Sequence, residues 1–359
     1  TLPTDEIVFH FPEINQLKLN ERTNIFFIKK EKLPIIQLNL LIESGSKFDP
    51  IDKSGTNNLL ALLIDEGAGG LTGLEINDKL DSLGSDITIY CNHDFIYFNL
   101  ISLSENFPKT LEILSKIIFE PDFLEKDFTR ERNKTQTYLT QILDDAEELA
   151  DKIFEKIVYG ENIFYGSYIL GNLNTIKNIK NDDIKISHQN NILNNRYNFS
   201  IVGKMYEDNL INLLNQYFPF NLNKIKTDQN GDKKFSYKLI YNHQRIYLYN
   251  KKDSTQTEIR IGHLTESRTE NNFLSRNIVN TILGGQFSSR INLNLREKHG
   301  FTYGARSSFS YKKYGGHFEI STSVSIENTG EAVKEILKEM DLIRKNISNE
   351  ELEFAKSSL

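Results

Sequence analysis

A single cysteine, Cys91, among 359 residues rules out an intrachain disulfide and a thiolate-rich zinc site, and leaves the redox compartment open. No apolar run approaches the roughly 18 residues of a membrane span. The opening residues, TLPTDEIVF, lack a basic stretch followed by an apolar core, so any export leader is expected to be absent from this sequence. A net charge of -6 and a pI near 5.8 give no broad electropositive field, and no segment joins a basic patch to stacking aromatics. Both points argue against nucleic acid as a partner. The 7 histidines, at positions 10, 93, 188, 243, 263, 299 and 317, include no pair at the i, i+4 spacing that holds a metal on one helix face. What is present is 38% hydrophobic and 26% charged residues, too apolar for disorder, in a chain long enough for two domains with sizeable cores.

Residues 221–235, NLNKIKTDQNGDKKF, have linker composition and separate a first domain, 1–220, from a second, 236–359. In the first, NIFFIKK and PIIQLNLLIESGS read as strands, and Leu59 to Glu66 as a buried helix. A short helix follows with Ile76, Leu80 and Leu83 on one face and Gly84 as its stop. DITIYCNHDFIYFNLISL reads as a hairpin, after which Ser104 is expected to cap a helix striped by Phe107, Leu111, Leu114 and Ile118. The second half repeats this order. Setting ISLSENFPKTLEIL over STSVSIENTGEAVKEIL places Ser102 on Ser323, so two copies of one α+β unit make up the chain. On that alignment Leu359 falls on Tyr138, where the first copy still has ADKIFEKIVYG and RYNFSIVGK to come. The second domain is therefore expected to be truncated at its C-terminus.

Most candidate motifs have a structural explanation. GAGG at 67–70 follows a helix and lacks G-x-G-x-x-G spacing, so it reads as a helix stop and turn. DDAEEL and RERNK read as solvated helix faces. Cys91 and His93 share a strand face, a spacing that serves packing more readily than nucleophilic chemistry.

One stretch is specific. LGGQFSSRINLNLREKHGFTYGA, with GSKFDPIDKSGTNNLL, LDSLGSDI, STQTEIRIGH and EELEFAK, resembles the pitrilysin (insulinase, mitochondrial processing peptidase) family of inverzincin metallopeptidases in its short two-domain form, over nearly the whole chain. The resemblance implies an α+β fold of two homologous domains, each a mostly antiparallel sheet with helices packed on one face. Active members carry H-x-x-E-H on the first helix, two His holding zinc and the Glu activating water, with a distal Glu completing the site. In this sequence Asn58 and Leu62 stand at the two His positions, Ala61 at the base and Tyr138 at the distal Glu. Leu and Ala have no lone pair to offer zinc, and a lone Asn amide is a poor ligand. No metal or other cofactor is expected in this chain.

LREKHGFTY, by contrast, matches the family's motif for an Arg and a Tyr that hold the substrate carbonyl, here Arg296 and Tyr303, and Gly284 and Gly285 match its cleft loop. The residues alone leave open that Arg296 pairs with a helical carboxylate and that Tyr303 packs in the hairpin. The resemblance implies a noncatalytic subunit of a heterodimeric zinc peptidase, not an enzyme on its own. It would contribute Arg296 and Tyr303 in trans and half of a peptide chamber, with zinc only in a paralogous partner. A structural or peptide-binding protein without a peptidase partner is the alternative. Bacterial relatives of this kind suggest the periplasm, with cytoplasm and organelle matrix left open.

Overall fold

The computed structural model describes residues 10–160, 164–218, 245–269 and 271–359. The expected linker at 221–235 lies outside them. The described residues fall into two units. The first runs to Thr137 and resumes at Ile169; the second comprises Tyr138 to Tyr168 and the residues from Arg245 on.

The first unit is built on six strands, β1 (Asn15–Asn20), β2 (Thr23–Lys29), β3 (Ile35–Ile42), β6 (Asp86–Cys91), β7 (Ile96–Leu103) and β8 (Tyr197–Gly203). Their order is β1-β2-β8-β3-β7-β6. All neighbours are antiparallel except β2 and β8, where Ile25 lies opposite Phe199. Period-2 alternation sends Ile36, Leu38, Leu40 and Ile42 to one fully buried face with Phe98 and Ile201. The helices α1 (Thr56–Leu63), α2 (Gly73–Ser82), α3 (Phe107–Phe119), α4 (Glu125–Gln141), α6 (Leu173–Asn178), α7 (Asn181–Ser187) and α8 (Glu207–Tyr217) belong to this part of the chain, α4 ending in the second unit. The predicted stripe on α3 is buried at all four positions. Its cap differs from expectation: Asn106 occupies the N-cap, and the hydroxyl of Ser104 is buried without a partner. GAGG is likewise no mere helix stop. Gly69 and Gly70, at φ 56 and 78, turn a small hairpin between β4 (Gly67–Ala68) and β5 (Leu71–Thr72).

The second unit holds β9 (Gln256–Thr265), β10 (Ala305–Lys312) and β11 (Gly315–Ser325) in the antiparallel order β10-β11-β9. Its apolar face joins Ile259, Ile320 and Val324 to Ile282, Leu295 and Ile336. These come from α9 (Phe273–Leu283), the short α10 (Arg290–Asn292) with its π-helical continuation Leu293–Lys298, and α11 (Thr329–Lys345); α12 (Asn349–Ser358) packs on α9. On the polar face of the strands lies α5 (Ala146–Tyr159), held by Arg260 Nε to Asp151 at 2.5 Å, Lys312 to Glu155 at 3.3 Å and the Tyr159 hydroxyl to His317 Nδ1 at 2.8 Å. This differs from the sequence-based division, which kept everything to residue 220 in the first domain. The contacts of Tyr138–Tyr168 are with the second unit's sheet, because its charged face offers α5 partners.

What positions α1 is a carboxylate. Asp49 accepts from the Gly55 N–H (2.7 Å), the Asn57 N–H (2.9 Å) and the Asn57 side-chain amide (2.8 Å), filling the acceptor role that the helix N-terminus requires. Gly55, at φ 104, turns the chain into the helix where an added Cβ would meet Leu170 O at 2.5 Å. Burial outweighs these hydrogen bonds and pushes the Asp49 pKa up to about 7. A folded-state value above the unfolded one means that folding favours the protonated acid. The stability so gained is complete below about pH 4 and is lost as the pH rises through about 7. Urea midpoints are therefore expected to fall between about pH 5 and about pH 8 in the wild type and much less in Asp49→Asn. Asp49→Ala, which removes the acceptor, is expected to cost about 0.5–2 kcal/mol. Equal pH slopes in wild type and Asp49→Asn would refute the assignment.

Candidate functional site

The face of α1 that would bear a metal is present but bears other chemistry. Leu59, Leu60, Ala61 and Leu63 are buried, so the helix serves the core as expected. Its extent is Thr56–Leu63 in place of Leu59 to Glu66, and Leu62 points outward with 40% of its surface exposed, beside half-buried Asn58. Neither side chain can form a zinc bond of useful strength: an alkyl group has no donor, and an amide is weak. Among the described residues no group of three or more His, Cys, Asp or Glu side chains is arranged to hold a metal ion. The site therefore does not fit zinc. Ala61, which the resemblance sets at the base position, has no group to move a proton.

Tyr138 lies elsewhere in function as well as in unit. At the end of α4, its hydroxyl donates to Glu148 Oε1 at 2.6 Å, and the Tyr168 hydroxyl donates to the same oxygen at 3.2 Å. The pair ties the α4 terminus to α5. Cys91 is no nucleophile: its thiol donates to Asn92 O, and burial holds its pKa far above the ordinary range.

Beside α1 lies β6, an outer strand of its sheet whose far edge is unpaired among the described residues. Such an edge presents backbone N–H and C=O groups to an added strand. In the first turn of α1, Asn57 is wholly buried and satisfied. It donates to Gly45 O and Asp49, and accepts from the Ser187 hydroxyl at 2.6 Å. Asp49, Asn57 and Ser187 escaped the sequence reading. Asp49 caps from outside the usual N-cap position, and Ser187 is far along the chain, so no local pattern flags either.

Arg296 and Tyr303 share the stretch between α9 and β10 in the second unit. Gly284 begins it: its carbonyl accepts from Ser307 N at 2.9 Å, and a Cβ there would sit 2.7 Å from that nitrogen. Gly285 N bonds Asn280 O at 2.7 Å, closing α9. Asn292 then joins the loop to the strand, donating to Phe287 O at 2.6 Å and accepting from Ala305 N at 3.0 Å. Arg296 lies in the π-helical turn, its guanidinium 4.5 Å over the Phe287 ring and its Nε 3.5 Å from Glu297. It is thus held by an aromatic face and a neighbouring acid at the surface. π-turns are uncommon and concentrate at functional positions. Tyr303 does not pack in the hairpin; 94% of it is exposed, ahead of β10. A cation over a ring and a free phenol, both anchored on a stitched loop, are two donors suited to a carbonyl oxygen or a carboxylate.

Comparison with known proteins gives the chain a family. A model described as Insulinase (Peptidase family M16) matches residues 25–164, and one described as Peptidase M16 inactive domain matches 178–359. An uncharacterized zinc protease of Rickettsia felis is 24% identical over 354 residues, covering 96% of this chain and 82% of that protein. A non-peptidase homolog, YmxG, of Helicobacter pylori is 23% identical over 372 residues, covering 97% and 78%. The crystal structure of a peptidase M16 inactive domain from Pseudomonas fluorescens superposes with a TM-score of 0.82 at 21% identity, over 96% of this chain and 82% of that one, which supports the two-domain α+β fold. By both matching models, this chain belongs to peptidase family M16.

Proposed function

We propose that the chain is a noncatalytic M16 subunit that binds extended peptide and supplies Arg296 and Tyr303 to a zinc-bearing paralogue, forming half of its chamber. The observation that carries this is the contrast between the two half-sites. On α1 the positions that the resemblance assigns to metal or proton transfer carry Asn58, Ala61 and Leu62, at best one weak amide ligand and no base, while Arg296 and Tyr303 stand on an ordered loop. In the proposed complex the guanidinium and the phenol donate to the carbonyl oxygen of the scissile peptide, where negative charge develops. Hydrolytic chemistry belongs to the partner's own helix. Export to a bacterial periplasm remains part of this proposal. The name of the Helicobacter pylori relative, a non-peptidase homolog, agrees with the inactive half of the reading.

A second reading, peptide binding without a peptidase partner, is favoured by the β6 edge beside the α1 face, which is unpaired among the described residues. Co-expression with an H-x-x-E-H paralogue, pull-down and a peptide-cleavage assay separate the two. Stable co-purification with partner-dependent cleavage supports the first; peptide binding with no complex supports the second.

The chain alone is expected to hold no stoichiometric zinc and to cleave no peptide. Elemental analysis returning one tightly held zinc per chain, with chelator-sensitive hydrolysis, would overturn that. In the complex, Arg296→Ala or Tyr303→Phe should lower turnover by about 10²–10³ while the heterodimer still assembles, the usual cost of one lost oxyanion donor. Unchanged turnover in both variants would return these residues to a structural role.

A further inference from the structure

Arg296 has donors to spare. Its guanidinium lies 4.5 Å over the Phe287 ring and its Nε is 3.5 Å from Glu297; among the described residues these are its contacts, so Nη1 and Nη2 carry no hydrogen bond. The ring fixes the plane of the fork and leaves its end open, with 36% of the Arg296 side chain and 66% of Phe287 exposed. The turn beneath is fastened to α11: Asn294 donates to Glu335 Oε2 at 3.0 Å and Glu339 Oε1 at 2.6 Å, and His299 Nε2 lies 3.8 Å from the same Glu335 oxygen. A guanidinium already oriented by stacking loses little freedom on binding. Two parallel N–H groups at its end match the two oxygens of a carboxylate, whereas a neutral carbonyl offers one oxygen and no charge.

We propose that the Arg296 fork, held by Phe287, is a clamp for the C-terminal carboxylate of a peptide. This rests on the peptide-contact reading of Arg296. Where Arg296 holds the scissile carbonyl, hydrolysis changes the group it holds: the C–N bond breaks, the oxygen of water joins the carbon, and both protons of water leave on the amine as an ammonium. The carbonyl becomes a carboxylate, and its bond to Arg296 becomes a charge-assisted pair. The product that ends at the cut is then held more tightly than the uncleaved chain, so it competes with fresh substrate. A phosphate also fits such a fork, but Glu297 beside Nε and a net charge of -6 disfavour a dianion.

The free chain tests the clamp without a partner. The probes, titrated by calorimetry, are an N-acetylated alanine peptide ending in phenylalanine as its free acid, the same peptide as its C-terminal amide, and an amide with one internal glutamate. The acid should bind at least roughly threefold more tightly than either amide, as a two-bond pair at a partly exposed site allows. Arg296→Ala should abolish that preference, and Phe287→Leu, which stays apolar but loses the ring, should reduce it. An acid preference that survives Arg296→Ala overturns the clamp, as does a glutamate-bearing amide that binds as tightly as the acid, or inorganic phosphate displacing the acid at equal concentration. An unchanged preference in Phe287→Leu removes Phe287 from it. The two readings fail apart: acid and amide bound equally, both weakened by Arg296→Ala, overturn the clamp and leave the peptide contact standing. Affinities that Arg296→Ala does not alter, or binding of no probe, remove the peptide contact as well.

Discussion

The backbone N–H groups that open α1 need an acceptor away from water, and the Asp49 carboxylate is that acceptor. Through Asn57 the same anchor reaches Gly45 O at the end of β3 and the Ser187 hydroxyl on α7. Helix, sheet end and a segment far along the chain are thereby held by one continuous hydrogen-bond network. A buried network of this kind is costly when incomplete and rigid when satisfied, and Asn57 uses both its donor and its acceptor.

That anchoring fixes the helix from its first turn. Here Leu59, Leu60 and Leu63 bury its inner face, and the Asp49 network fixes its start. On its outward face Asn58 and Leu62 present an amide and an alkyl surface beside a strand edge that is unpaired among the described residues.

In the second unit, the loop through Gly284 and Asn292 and the π-turn after α10 hold their shape by polar stitches to β10 and α11. Arg296 and Tyr303 are surface residues on that frame. Tyr303 is almost wholly exposed and open to contact with another molecule, while Arg296 is half-buried against the Phe287 ring.

By itself, the sequence determined what depends on local period and on side-chain chemistry. The α3 stripe, the hairpins β6–β7 and β10–β11, the repeated order of elements and the inability of Asn58, Ala61 and Leu62 to serve zinc all follow from spacing and donor type. The LREKHGFTY motif points to Arg296 and Tyr303 only through the family resemblance. Tertiary structure alone decided that β8 inserts between β2 and β3, parallel to β2 and antiparallel to β3, and that Tyr138–Tyr168 joins the second unit. It also decided that Asp49 and Ser187 serve α1, and that Asn294, Glu335 and His299 converge behind Arg296. These are pairings between residues distant in sequence, where local periodicity is silent and only the burial of matched donors and acceptors selects the partner.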